Sequence, residues 1–248
     1  MLILLPPSET KRPGGLGAAV RLDELALPEL RPQREAVVAA LVSLSVDPAT
    51  AARVLKLGAT QLGEVAVNAA VRTAPTLPAV DRYTGVLYDA VDAASLDSAA
   101  RRWLGRHVLI HSAPFGPVGA LDAIPAYRLG ATASLPGLAP LRRVWAAPVT
   151  AALAAADERF VLDLRSEAYV ALGPLDGEAA SAYVRVVTEG AGGAVRALNH
   201  FNKHAKGDLV RRLAVTRPRI ASARGFVAWA ATAGLRAEEN GREVLLFA

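Results

Sequence analysis

The chain has 248 residues, of which 52% are apolar and 21% charged, and its formal net charge is +5 at pH 7. This composition supplies a core for one mixed domain, and the basic balance permits an anionic partner such as nucleic acid. The absence of cysteine excludes disulfides, cysteine-ligated zinc and thiol nucleophiles. No apolar run reaches the roughly 18 residues of a membrane helix. We therefore expect a cytoplasmic protein that makes no contact with a membrane.

The first part of the sequence predicts one short strand followed by helices. Leu2–Leu5 are apolar and end at two prolines, which is typical of a buried strand. Residues 11–31 are punctuated by glycine and proline and predict a long loop. A helical pattern begins near Gln33. Asp47-Pro48 is an N-cap followed by proline, so a second helix is expected from there to about Leu57-Gly58, and a third follows directly.

Helices and strands alternate through the rest of the chain. We expect helices at 81–90, 97–104, 138–155, 197–214 and 218–232, and strands at 107–111, 160–164, 183–187, 235–239 and 242–247. Asn240-Gly241, between the last two strands, is a strong hairpin signal. The sequence shows no repeat and no break in composition. These patterns predict a single mixed α/β domain over residues 1–248, with a largely helical shell around a central mixed sheet.

The segment Val54–Ala59 joins two predicted helices and loosely resembles a helix-hairpin-helix element. In such elements, backbone amides hold DNA phosphates without reading the bases. Lys56 and Gly58 would make that contact here. The alternative is an ordinary helical corner, because the usual hairpin has two glycines and only Gly58 is central in this one.

Residues 199–212 form a basic segment that is expected to be helical. Its four fixed cations are Lys203, Lys206, Arg211 and Arg212. Lys203 and Lys206 are three positions apart and therefore share a helix face. A simple solvated face is the alternative. His200 and His204 have a spacing compatible with a metal, but two histidines alone make a poor iron site, so we expect neither a metal site nor a cofactor.

Polar side chains also follow the first strand. Lys11 comes just after Ser8 and Thr10, at a strand end where open α/β sheets place their ligands. The three side chains together would hold a phosphate. The segment lacks the glycine pattern of a P-loop, so we do not expect nucleotide binding of that kind. A surface turn is the alternative.

Tyr127 and Arg128 present an aromatic ring and a guanidinium next to each other. This pair is suited to stacking on a base while holding a phosphate, and Tyr83 is a second stacking candidate. The alternative for Arg128 is a buried ion pair with Asp122 or Glu167.

A second group of candidates follows the strand predicted at 160–164. Ser166 is a candidate anion ligand. Glu167 either orients basic neighbours or acts as a general acid-base group, and the sequence leaves both roles open. Ser112 and His111 are adjacent in a strand and therefore point to opposite faces. With no nucleophile elbow present either, we do not expect serine hydrolase chemistry.

Six segments, in order, resemble the YaaA family of peroxide stress proteins. They are Pro7–Lys11, Tyr83–Tyr88, Ser112–Gly116, Asp122–Leu129, Leu164–Tyr169 and Phe201–Gly207. The resemblance implies a cytosolic bacterial protein that helps cells survive hydrogen peroxide by limiting free iron and its damage to DNA. It also implies DNA binding by one α/β domain with a basic cleft and a helix-hairpin-helix element.

Two segments depart from the family pattern. Ser112–Gly116 stands where the family commonly has Ser-Gly-Leu-Tyr-Gly, which removes a hydroxyl and stiffens the loop. Lys206-Gly207 stands where the family commonly has Arg-Gly. This second change keeps the charge but loses the guanidinium fork.

Three hypotheses about function follow. The first is a protective protein that binds double- and single-stranded DNA with little sequence specificity, with phosphate contacts from Lys11, Arg128, Lys203 and Lys206. The second is an enzyme that acts on a nucleotide or another anionic small molecule in the same cleft, with Glu167 as its acid-base group. The third, ranked last, is an iron-handling protein that uses His200, His204 and nearby carboxylates.

Overall fold

The computed structural model describes residues 1–156, 160–177, 180–189, 195–197 and 201–248. The strands are β1 (Leu2–Leu5), β2 (Leu77–Pro78), β3 (Val108–Ser112), β4 (Gly116–Gly119), β5 (Ala123–Ile124), β6 (Val161–Asp163), β7 (Ser181–Glu189), β8 (Val195–Ala197), β9 (Arg236–Asn240) and β10 (Glu243–Phe247). The α-helices are α1 (Arg31–Leu44), α2 (Pro48–Val54), α3 (Gly63–Ala69), α4 (Ala79–Arg82), α5 (Val86–Val91), α6 (Ser98–His107), α7 (Leu141–Ala155), α8 (Glu167–Val170), α9 (Phe201–Thr216) and α10 (Ala223–Thr232).

A mixed sheet of eight strands organises the described residues. Its order is β4-β3-β1-β6-β7-β10-β9, and β8 pairs with the far end of β7. The five central strands run parallel, whereas β4, β8 and β9 pair antiparallel with their neighbours. All four residues of β1 are buried, as expected for a parallel strand covered on both faces. The predicted mixed α/β fold is confirmed. β2 and β5 form a separate two-stranded ribbon.

Local signals placed several element ends correctly. Asp47 and Asp97 cap α2 and α6, and each carboxylate accepts hydrogen bonds from amides of the first helical turn. The predicted hairpin forms between β9 and β10, with Gly241 in a left-handed conformation at φ +61°.

Other element bounds differ from the prediction for visible reasons. The helix expected at 81–90 is two helices, because the chain turns at Gly85 with φ +92°. The helix expected at 218–232 starts at Ala223, because the Ser222 hydroxyl caps it by accepting from the Gly225 amide at 3.0 Å. The helix expected at 197–214 starts at Phe201, and Ala197 belongs to β8 instead.

The loop predicted at 11–31 is present apart from a short 3-10 helix, and two buried arginines hold it in place. Arg34 donates hydrogen bonds to the carbonyl oxygens of Leu22, Leu25, Ala26, Phe115 and Pro117. Arg82 donates to the carbonyl oxygens of Arg12, Pro75 and Ile124. Carbonyl oxygens in an irregular loop have no regular strand or helix partner, and the two guanidinium groups supply the missing N–H donors. The loop is therefore ordered without regular secondary structure.

Among the described residues, no helix combines the length and the apolar character needed to cross a bilayer.

Candidate functional site

A cleft of about 980 Å³ opens where β1 and β6 end. Three loop segments line it: Pro6–Thr10 after β1, Thr84–Tyr88 at the start of α5, and Leu164–Tyr169 after β6. The fourth wall consists of β7 side chains and the first turns of α9. The carboxyl ends of parallel strands are where open α/β sheets place ligands. Four of the six segments that carry the family resemblance, the start of α9 among them, therefore meet at this cleft.

The lining of the cleft is mixed in charge. Its charged side chains among the described residues are Glu9, Glu167, Arg185, Lys203 and Lys206. Arg185 is bound by both carboxylate oxygens of Glu243, at 2.6–3.2 Å. Within the part of the chain that the structure describes, no ion pair engages Lys203, Lys206 or Glu167. The hydroxyls of Ser8, Thr10 and Ser166 complete the polar lining.

Lys206 is buried in the wall of the cleft. Only 5% of the residue is exposed, and its Nζ donates a hydrogen bond to the Leu164 carbonyl oxygen at 3.0 Å. The Nζ also lies 5.4 Å from the centre of the Tyr183 ring. Burial lowers the pKa of Lys206 to about 8, although Asp163 opposes that shift.

The neighbouring glycine explains how α9 brings Lys206 to this position. A Cβ on Gly207 would lie 2.2 Å from the Leu87 carbonyl oxygen and 2.7 Å from the Ala90 Cβ. Only a residue without a side chain allows α9 to approach α5 this closely. The Lys206-Gly207 pair thus combines a cleft amine with the close helix contact that positions it. Lys203, one turn earlier, is exposed at the rim.

Lys11 lies just behind the cleft lining, which ends at Thr10. Its Nζ donates to the carbonyl oxygens of Ser8 at 3.0 Å and Glu9 at 3.2 Å, and it sits 4.1 Å from the centre of the Tyr127 ring. Burial, with a further contribution from the nearby Arg128 charge, lowers the pKa of Lys11 to about 7.

The two candidate stacking tyrosines are interior residues. Tyr83 and Tyr127 are 2% and 1% exposed, and their hydroxyls are 2.7 Å apart. The Ser112 hydroxyl donates to the Tyr127 oxygen at 3.1 Å. Burial raises the pKa of both phenols. Base stacking requires an exposed ring face, and neither residue presents one, so the stacking role predicted for them is wrong. The two tyrosines instead form a buried chain of hydrogen-bonded hydroxyls beneath Lys11.

Arg128 has a different partner from either of those considered in the sequence. Its Nη2 lies 3.2 Å from a carboxylate oxygen of the exposed Glu9. The alternative considered for Arg128, a buried ion pair with Asp122 or Glu167, is therefore wrong. Asp122 instead accepts hydrogen bonds from the amides of Ala26 and Gly119, and so fixes a loop.

Lys56 and Gly58 lie outside the cleft lining, in the corner between α2 and α3. Both are exposed, and Lys56 rather than Gly58 has the left-handed backbone, with φ +53°. The Gly58 amide donates to the Gln61 side chain at 3.1 Å. The two helices and their turn form as predicted, and the contact of this corner with DNA stays a prediction.

The histidine pair is only partly described. His200 lies outside the described residues, and His204 is exposed on α9. Among the residues that the structure describes, no three His, Asp or Glu side chains cluster in a way that could hold a metal ion.

Sequence reasoning missed a buried ionic cluster beneath the cleft. Arg165 is fully buried, and its Nε and Nη2 donate to the two carboxylate oxygens of Asp163 at 2.9 and 2.7 Å. Arg165 Nη1 also contacts His111 Nδ1 at 3.1 Å and donates to the Gly173 carbonyl oxygen. The different partners of His111 and Ser112 agree with the prediction that they point to opposite faces. An Asp-x-Arg pair at a strand end is the signal that would have found the cluster.

β7 contributes two further cleft residues that the sequence analysis did not single out. Tyr183 donates its hydroxyl hydrogen to the Arg165 carbonyl oxygen at 3.0 Å, and Arg185 lies two residues further along the strand. The alternating pattern of the segment predicted the strand, but it gave no sign that this face borders a cleft.

The fold and the cleft define a mixed α/β protein with a polar, lysine-bearing cleft at the carboxyl edge of its parallel strands. Residues 1–240 match the family described as Peroxide stress protein YaaA, so this chain belongs to the YaaA family. The resemblance of the six sequence segments is thereby confirmed.

Full-length relatives support this membership. A UPF0246 protein of Corynebacterium efficiens is 45% identical over 252 aligned residues, which cover 99% of this chain and 98% of the relative. A UPF0246 protein of Streptomyces coelicolor is 46% identical, covering 87% of this chain and 84% of the relative. A third, from Corynebacterium glutamicum, is 40% identical and covers 97% of this chain and 96% of the relative.

Proposed function

We propose that this chain protects cells under peroxide stress by binding the DNA backbone in the cleft, with little sequence preference. The observation that carries this proposal is the placement of Lys203 and Lys206 on one turn of α9, opposite the hydroxyls of Ser8, Thr10 and Ser166. Lysine and hydroxyl side chains are common phosphate ligands, and such contacts position DNA without reading its sequence.

The charge of the cleft limits the strength expected of this binding. Arg185 and Arg128 are paired with Glu243 and Glu9, so two lysines supply most of the available positive charge. The exposed Lys56 at the α2–α3 corner would add a contact to a second stretch of backbone. About three phosphate contacts predict a salt slope of roughly −0.9 per contact on duplex DNA and an affinity near the micromolar range.

Fluorescence anisotropy with labelled duplex and single-stranded oligonucleotides, at two salt concentrations, tests the proposal. We expect Lys203→Ala/Lys206→Ala to weaken binding at least tenfold and to reduce the salt slope by about two units. The matched control is Arg219→Ala/Arg224→Ala, which removes the same formal charge from exposed positions outside the cleft lining. Equal weakening by both double variants, or binding that is insensitive to salt, would contradict a phosphate site in the cleft.

A second candidate function is an enzyme that acts on a nucleotide or another anionic small molecule in the same cleft. Two observations favour it: the volume of about 980 Å³, which lies within the roughly 300–1,000 Å³ of small-molecule sites, and the burial of Lys206. Glu167 at the rim would act as the acid-base group. If the cleft binds a mononucleotide, a saturating concentration should raise the melting temperature of the wild type. Glu167→Gln should keep that shift in melting temperature but lose turnover of the nucleotide.

A further inference from the structure

The Lys206 amine has fewer hydrogen-bond partners than its burial calls for. A protonated lysine carries three N–H donors, and within the described residues only the Leu164 carbonyl oxygen accepts one of them. In that part of the chain no carboxylate lies within 4.0 Å of the Nζ, and Tyr183 offers only a ring edge or face at 5.4 Å. Such an amine is costly to keep charged, and it lines an open cleft.

The other three lysines of the chain differ from it. Lys11 has two carbonyl partners and lies behind the lining, so its donors are largely used by the fold. Lys203 and Lys56 are exposed to water. Lys206 alone among these four combines burial, a single hydrogen bond and a place in the cleft wall.

We propose that Lys206 is a reactive amine that condenses with an aldehyde or ketone bearing an anionic group, and so forms an imine in the cleft. This proposal rests on the second candidate function, small-molecule chemistry at the same site. A site that binds an anion by charge alone would use an exposed or ion-paired cation. A buried lysine without a counter-ion is a poor choice, because burial disfavours its charged form. That same burial favours the neutral amine, which is the nucleophile.

The reaction balances without an oxidant or a reductant. The Nζ lone pair attacks the carbonyl carbon, and the carbonyl π electrons move to oxygen. Glu167, on the same lining, carries the first of the two Nζ protons to that oxygen to give a neutral carbinolamine. It then carries the second Nζ proton to the hydroxyl, which leaves as water while the nitrogen lone pair forms the C=N bond. The products are one imine and one water. Lys203 and the hydroxyls of Ser8 and Thr10 would hold the anionic group.

The low pKa of Lys206 supports this assignment on energetic grounds. With a pKa of about 8 in place of 10.5, the neutral fraction near pH 7.5 is roughly two orders of magnitude larger than that of an ordinary lysine.

Reductive trapping with pyridoxal 5′-phosphate, a phosphate-bearing aldehyde, tests the proposal directly. The wild-type chain is treated with a substoichiometric amount of probe and a borohydride reductant at pH 7.5, and the modified peptides are mapped by mass spectrometry. The four lysines give few sites to resolve. We expect labelling of Lys206 at least tenfold above Lys203 and Lys56, with a rate that levels off near pH 8. Labelling that follows exposure, with Lys203 and Lys56 ahead of Lys206, would overturn the proposal.

Variants separate a reactive amine from a binding cation. Lys206→Arg keeps the charge but cannot form the imine, so cleft labelling should be lost while DNA binding persists. Lys203→Met should leave Lys206 reactive but slow its labelling, and inorganic phosphate should slow it in the wild type. Labelling of Lys203 that phosphate slows, without any Lys206 adduct, would support the anion site and reject the imine. A Lys206 adduct in a chain that fails to bind DNA would reject only the first proposed function.

Discussion

Two regions of this molecule bury positive charge in opposite ways. In the N-terminal region, Arg34 is fully buried and donates to five backbone carbonyl oxygens, and Arg82 donates to three. In the cleft, Lys206 is almost as deeply buried, but among the described residues it donates to one carbonyl oxygen. A buried cation whose donors are all used belongs to the fold. One whose donors remain free is available to a ligand.

The chemistry of the two side chains accounts for the contrast. A guanidinium spreads five donors over a rigid plane, so one arginine can collect carbonyl oxygens from several loop segments. Arg34 in this way joins the loop after β1 to the turn at Phe115 and to Pro117 in β4. An ammonium has three donors on a flexible stem, and it loses its proton at a lower pH than a guanidinium does. Arginine therefore suits the anchoring of the loop, and lysine suits an adjustable site.

The largest effect is expected from removing the best-satisfied cation. Arg34→Met leaves five carbonyl oxygens without their donor, at about 1–3 kcal/mol for each that stays dry. We expect the free energy of unfolding, measured in urea, to fall by at least about 4 kcal/mol after partial hydration of the site. Arg72→Met is the control: it removes an exposed arginine paired with Glu35 and should cost about 0.5 kcal/mol or less. Similar losses in both variants would show that the buried Arg34 contributes no more to stability than an exposed arginine does.

A somewhat smaller loss is expected at the buried ion pair beneath the cleft. Arg165→Met leaves the Asp163 carboxylate buried without its partner, which typically costs about 3–5 kcal/mol. The double variant Asp163→Leu/Arg165→Met removes both charges and should recover most of that stability. Thermal and urea unfolding of the two variants would measure the difference. A double variant as unstable as the single one would show that the arginine acts through its Gly173 and His111 contacts instead.

Much of the fold could be predicted from the sequence, because its signals are local. Asp47 and Asp97 start helices through contacts within one turn, and Asn240-Gly241 sets its hairpin through backbone conformation alone. The break between α4 and α5 was missed, because Gly85 within an apolar pattern gives no sign that its φ is +92°.

The candidate site was harder to predict, because its residues are defined by distant partners. Arg128 is paired with Glu9, which precedes it by 119 residues, and Arg185 with Glu243, which follows it by 58. The sequence around Tyr127 does not distinguish a ring exposed for stacking from one buried against Tyr83. Strand ends correctly indicated where side chains gather, since that follows from parallel topology. Which of them face the cleft depends on packing.

The smallest effect, and the one that most sharpens the contrast, is expected at Lys206. Its pKa falls from 10.5 in the unfolded chain to about 8 in the folded one, so between these values the unfolded state holds more protons. The stability of the wild type should therefore rise as pH increases from 8 to 10.5, and below pH 8 the full cost of the buried charge is present. Lys206→Met lacks that cost. It should be about 1–2 kcal/mol more stable than the wild type at pH 7, after loss of the Leu164 hydrogen bond, and the advantage should vanish near pH 10.5.

Urea unfolding across this pH range measures the difference, with Lys203→Met as the control on the same helix. Because Lys203 is exposed, its replacement should change stability little. If Lys206→Met were instead destabilised at every pH, the Lys206 amine would be a structural cation like Arg34. The buried charge of Lys206 would then stabilise the fold, and its single hydrogen bond within the described residues would not mark a ligand site.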